Sequence, residues 1–154
     1  MFVVPHSSPD IIPYGDGAFL IRYECPGYDA AVCDRVQTLA AAFRANGYWD
    51  DVMSGYDSVL VSFNPGHVSP EKARRSIQTK ISQLKKTPSK PGNIIDIPVV
   101  YGGNFGPDMQ NIMTSSGLTE AAVIEKHSAQ IYDVCMMGFI PGFAFLSEAP
   151  KALH

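Results

Sequence analysis

The chain has 154 residues, 45% of them hydrophobic and 18% charged, enough apolar material for the core of one ordinary domain or two small ones. A net charge of −3 without a basic stripe argues against nucleic acid, whose phosphates call for clustered Lys and Arg. Cys25, Cys33 and Cys135 form an odd set with no CxxC and no histidine at metal-ligand spacing, so buried thiols and no metal site are expected.

Met1 to His6 lacks the basic and apolar regions of a signal peptide. No later segment reaches the roughly 18 apolar residues of a membrane span. A cytoplasmic protein with no membrane partner is the expectation.

Ala18 to Glu24, rich in aromatic and β-branched residues and closed by Pro26-Gly27, predicts a first strand. A helix follows from about Asp29 to Asn46, with Asp29 as N-cap, Val32, Val36, Leu39, Ala40 and Phe43 on one stripe, and Gly47 at C′. Tyr48 to Met53 and Ser58 to Phe63 read as a hairpin turning around Gly55. Ser69-Pro70-Glu71 opens a second helix that runs to about Lys86, with Ile77, Ile81 and Leu84 on its apolar face. Lys72, Arg74, Arg75, Lys80, Lys85 and Lys86 then form a solvated helix surface.

Thr87 to Gly92 is a linker, and Ile94 to Val100 reads as a fourth strand. The order β-α-β-β-α-β predicts an α+β, ferredoxin-like unit with both helices on one face of an antiparallel sheet. It would occupy 1–92, with its last strand at 94–100, and a second region would cover 93–154.

After Val100 come a glycine loop, two short helices (about Pro107 to Ser115 and Glu120 to Ala129) and a strand from Ile131 to Met137. In the loop, Tyr101, Gly102, Gly103, Phe105, Gly106 and Asp108 are candidates for ligand binding, because glycines can turn backbone N–H groups toward an anion at a helix N-terminus. The alternative is a structural turn with Asp108 in the first helical turn. No GK[ST] or GxGxxG is present.

His127 is the histidine inside a predicted regular element and the candidate general acid or base, the alternative being a core or interface histidine. Ser128 beside it points elsewhere on the helix, which argues against a Ser-His pair. The last strand runs into Gly138-Phe139-Ile140-Pro141-Gly142-Phe143, where glycine and proline fix the loop shape. Gly138, Phe139, Pro141, Gly142 and Phe143 either fill a core corner or build an aromatic platform at a pocket or partner surface. No constellation supplies nucleophile, base and oxyanion donors together, so an enzymatic role points to one component of a larger assembly.

The spaced run Ile97-Pro98-Val99-Val100-Tyr101-Gly102-Gly103-Asn104-Phe105-Gly106-Pro107-Asp108, Gly117-Leu118-Thr119, His127-Ser128 and Tyr132 to Phe143 resembles the allophanate hydrolase subunit 1 family, which includes the KipI kinase inhibitor and the B component of bacterial 5-oxoprolinase. Tyr14 to Leu20 and Tyr56 to Phe63 extend the resemblance over nearly the whole chain, which departs from the family's usual residues at Val100, Asn104 and Ala144-Phe145. Members usually continue for several dozen residues beyond the GFxPGF loop to complete a cyclophilin-like β-barrel. The resemblance therefore implies that 93–154 is only the start of that barrel, in a C-terminally truncated chain.

It also implies a non-self-sufficient subunit of an ATP-dependent 5-oxoprolinase, a hydrolase opening 5-oxo-L-proline to L-glutamate. Its partners would be an allophanate hydrolase subunit 2 protein, akin to the C component of 5-oxoprolinase, and a lamin-B-like lactam-utilisation protein, with ATP used by the assembled enzyme. The alternatives are a KipI-type inhibitor of a sensor histidine kinase and the carboxyltransferase part of a urea carboxylase.

Overall fold

The computed structural model of the chain describes residues 8–84 and 92–154. It forms two compact units, one from the described residues of Met1–Lys90 with Cys135–Phe145, the other from those of Pro91–Val134 with Leu146–His154. Cys135–Phe145, expected with the second region, thus belongs to the first unit. Lys85, Lys86 and most of the expected linker lie outside the described residues.

The first unit is built on four antiparallel strands, β1 (Asp10–Pro13), β2 (Ala18–Arg22), β3 (Asp51–Ser54) and β4 (Ser58–Ser62), in the order β1-β2-β4-β3. Two helices accompany them, α1 (Ala30–Arg44) and α2 (Pro70–Gln83). Alternation along the strands sends Phe19, Ile21, Val52, Val59 and Val61 to one face, where they are buried against the α1 stripe Val32, Val36, Leu39, Ala40 and Phe43 and against Ala73 and Ile77 of α2. The register pairs Phe19 with Val61 and Ile21 with Val59, so the core face is continuous across the sheet centre. On the other face Ile12, Leu20, Leu60 and Met53 follow one another from strand to strand.

The helix starts form as their residues dictate. Asp29 accepts hydrogen bonds from Ala31 N (2.8 Å) and Val32 N (3.2 Å), and the Ser69 hydroxyl accepts from Lys72 N (3.3 Å) with Pro70 at the first position. The α1 C-cap is Ala45 in a right-handed conformation, so Gly47, at φ +60°, lies beyond the position expected for it.

Two expectations about strands need correction. The strand expected at Ile94 to Val100 does not form; the segment has no regular structure and exposes Ile94, Ile95 and Ile97 by 71–78%. The sheet edge beside β2 is held instead by β1, tied back by Tyr14 N to Ala18 O (2.9 Å) around Gly15 at φ +65°. A local hairpin closes with less loss of chain entropy than a return from residue 94. The strand expected from Tyr48 begins only at Asp51, because Trp49 turns its ring edge-on to Phe43 (5.4 Å) and Tyr48 (4.9 Å) at the end of the core.

The free edge of β3 is partly closed by Arg44, whose Nε and Nη2 donate to Val52 O (3.2 and 2.9 Å). A two-stranded sheet joins β5 (Val134–Met137) to β6 (Ala144–Leu146). Cys135 is fully buried, and its carbonyl accepts from the Gln37 amide and from Cys33 Sγ of α1.

The second unit contains a 3₁₀ turn at Gly103–Phe105, α3 (Met109–Ser116), α4 (Glu120–Ser128) and a 3₁₀ turn at Lys151–Leu153. The two helices pack on each other and on the last turn. Gly117 ends α3 at φ +70°, and Thr119 Oγ1 caps α4 through Ala122 N (3.3 Å). Val123 is the buried hydrophobic residue among those described here. No described helix is long and apolar enough to cross a membrane.

Phe43→Ala should cost about 3–5 kcal/mol of unfolding free energy in denaturant titration. Ile97→Ala should change it by less than about 0.5 kcal/mol, as an exposed position does. A large loss at Ile97 would mean that the segment is packed after all.

Candidate functional site

The loop after Tyr101 closes on itself. Phe105 N and Gly106 N both donate to Gly102 O (3.1 Å each), and Met109 N donates to Gly106 O (3.1 Å). Gly102 sits at φ +74°, and a Cβ there would lie 2.5 Å from Glu120 Oε1; a Cβ on Gly106 would lie 2.7 Å from Gly102 N. Left-handed backbone and close approach therefore account for both glycines. Gly103, at φ +53°, has open space.

Asp108, expected inside the first helical turn, is instead the N-cap of α3, exposed and without a capping bond. Phe105 is 78% exposed. No Lys or Arg occurs in 101–116. Two of the loop's amides, Phe105 N and Gly106 N, are thus turned inward and engaged within the loop.

His127 lies in the last turn of α4, half-buried, and its Nδ1 is 2.7 Å from the Tyr101 hydroxyl. The rings of Tyr101 (5.7 Å, edge-on) and Tyr132 (5.4 Å, tilted) flank the imidazole, and the Tyr132 hydroxyl donates to His127 O (3.1 Å). Ser128 Oγ turns away to Ile124 O (2.8 Å), as helix geometry requires of a neighbour. The structure thus joins Tyr101 and His127 and adds two residues to which the sequence assigns no role, Tyr132 and Glu120. The five-residue spacing from His127 to Tyr132 is the signal that could have found the first of them.

Burial, with a smaller contribution from Tyr101, pushes the Tyr132 phenol above the ordinary tyrosine range.

Gly138, Phe139, Pro141, Gly142 and Phe143 form the turn between β5 and β6, in the first unit. Gly138 N donates to Phe143 O (3.1 Å), Ile140 N to Gly138 O (2.9 Å) and Phe143 N to Ile140 O (3.1 Å). Phe139 occupies φ +68°, a strained conformation for an aromatic residue, and is 89% exposed. Ring centroids run from Phe139 to Phe143 (6.0 Å) and on to Phe145 (5.0 Å). The turn therefore carries a ladder of three aromatic rings, with Phe139 and Phe143 exposed and Phe145 partly buried.

An open cleft of about 590 Å³ in the first unit is lined by Phe19, Phe63, Pro70 and Arg74 among others, with the Arg74 guanidinium 5.0 Å above the Phe19 ring. Among the described residues no group of three or more His, Cys, Asp or Glu side chains could hold a metal ion.

The sequence profile of the carboxyltransferase domain, subdomain C and D, matches residues 9–154. The chain belongs to this family. Proteins named as the B component of 5-oxoprolinase are similar to it: that of Haemophilus influenzae is 41% identical over 147 residues, 94% of this chain and 67% of that protein. The Escherichia coli O157:H7 protein is 48% identical over 60 residues, 39% of this chain and 28% of its own length. The Bacillus subtilis protein is 34% identical over 83 residues, 54% of this chain and 35% of its own length. The chain thus matches only part of the length of each of these relatives.

Among solved structures, TTHA0988 matches at a TM-score of 0.71 and 28% identity, covering 88% of this chain and 26% of that one. The K. lactis urea amidolyase matches at a TM-score of 0.63 and 13% identity over 88% of this chain and 10% of its own, a likeness of fold alone.

Because folding raises the Tyr132 pKa, its contribution to stability is complete below the unfolded value near 10 and is lost as pH rises past it. Tyr132→Phe should remove one late-ionising phenol from an alkaline absorbance titration and lessen the loss of stability above pH ~10. An unchanged titration would contradict the raised pKa.

Proposed function

We propose that this chain acts as the B component of an ATP-dependent 5-oxoprolinase in the cytoplasm. The observation that carries the reading is the 41% identity over 147 residues to a protein of that name. Opening the lactam breaks the ring C–N bond with addition of water, leaving the γ-carboxylate and the free amine of L-glutamate. The chain's own contribution would be His127, held by Tyr101, as a group that meets a ligand oxygen with its remaining ring nitrogen.

The remaining machinery would come from an allophanate hydrolase subunit 2 partner and a lamin-B-like lactam-utilisation protein. ATP binding would belong to that assembly. The Phe139-Phe143-Phe145 ladder supports the role of an assembly component, because exposed aromatic rings on a fixed turn are suited to anchor a partner. Purified with both partners, the chain should support ATP-dependent release of L-glutamate from 5-oxo-L-proline. Absence of turnover with all components folded would refute the reading.

In the same reading the first unit is ferredoxin-like, with β1 in the edge position of the usual last strand, and the second is the start of a cyclophilin-like barrel. Exposed Ile94, Ile95, Ile97, Val99 and Val100 would then be a barrel strand awaiting its neighbours. The isolated chain should therefore bind ANS and self-associate in sedimentation. A stable, ANS-negative monomer would count against that assignment.

Phe143→Ala should weaken association with the allophanate hydrolase subunit 2 partner by roughly 2 kcal/mol or more and leave unfolding of the first unit nearly unchanged. Normal association with a stability loss of about 3–5 kcal/mol would instead make the ring structural.

A further inference from the structure

The contact between Tyr101 and His127 constrains more than ring position. A phenol at neutral pH carries a proton to donate, and among the described residues its partner is His127 Nδ1 at 2.7 Å. The reverse direction, Nδ1–H to the phenol oxygen, would leave the Tyr101 proton without a side-chain or backbone acceptor among the described residues. Tyr132 does not compete for the imidazole, since its hydroxyl is engaged at the His127 carbonyl (3.1 Å) and only its ring meets the His127 ring. Donation from Tyr101 fixes the neutral imidazole with its proton on Nε2, the nitrogen turned away from that bond.

We propose that Tyr101 is the positioning residue that holds His127 in the Nε2–H tautomer. Nε2–H is thereby the hydrogen-bond donor this unit offers to a carbonyl or carboxylate oxygen of a small ligand. The proposal rests on the 5-oxoprolinase reading only for the identity of that ligand, the lactam substrate. Glu120, at the start of the same helix, places its carboxylate close over Gly102, beside Tyr101 in the loop.

The test is a long-range proton–nitrogen correlation spectrum of the chain labelled with ¹⁵N-histidine, recorded where the ring is neutral. His127 is assigned by its loss in His127→Gln. In the wild type it should show the Nε2–H pattern. Tyr101→Phe, which keeps the ring contact and removes the hydroxyl, should give a mixture of tautomers, while Tyr132→Phe should leave the pattern unchanged.

An Nδ1–H pattern in the wild type, or an unaltered pattern in Tyr101→Phe, overturns the proposal. If Tyr101→Phe fails to fold, the wild-type spectrum alone decides. In the enzyme assembled with its partners, Tyr101→Phe should lower kcat/KM for 5-oxo-L-proline by at least about tenfold, as loss of a tautomer-setting partner does elsewhere. A changed tautomer with unchanged turnover overturns the donor role. Absence of turnover in the assembled wild type refutes the 5-oxoprolinase reading and leaves the tautomer result standing.

Discussion

Burial of one helix stripe on one sheet face is the constraint on which the first unit depends. The 3.6-residue period of α1 aligns Val32, Val36, Leu39, Ala40 and Phe43, and the two-residue period of β2 and β4 aligns Phe19, Ile21, Val59 and Val61 opposite them. Each fully buried large side chain contributes about 1.5–3 kcal/mol relative to exposure, so this face dominates the stability of the unit. Smaller devices then hold its limits. Asp29 sets where α1 begins, and Arg44 closes part of the β3 edge through Val52 O. Gln37 receives the turn of chain at Cys135.

The second unit is organised differently. It buries little apolar surface and relies on caps, close glycine contacts and polar side-chain pairs. Regions of this kind open at lower free energy than a packed core, a property common where ligands bind. Gly102 and Gly106 are used here for fit, one making room for Glu120 and the other for backbone. One polar contact of the unit, between Tyr101 and His127, spans the glycine loop and α4, so loop shape and imidazole orientation are set together.

In the β5–β6 turn the sequence largely writes the conformation. Pro141 and Gly142, the latter at φ +80°, make the reversal, and the strain at Phe139 is confined to a residue whose ring is turned outward. That combination turns a short apolar segment into a surface of defined shape.

Both long helices, their N-caps, the buried stripe and the β3–β4 hairpin were legible in the sequence because each depends on neighbours within a few residues. The place of His127 in a helix was legible, and Tyr101 as part of the glycine loop, but not their contact, which joins residues 26 apart. Ile94 to Val100 has the composition of a strand and no strand partner among the described residues, since a strand is defined by what it pairs with. Four-residue β1 was invisible for the opposite reason: Asp10 to Pro13 has weak strand character alone and forms through pairing with β2. The sequence by itself determined periodicity, caps, turns and family. Only the tertiary structure decided which segments pair, which glycines are crowded and which nitrogen of His127 faces Tyr101, because those follow from contacts between residues far apart in the chain.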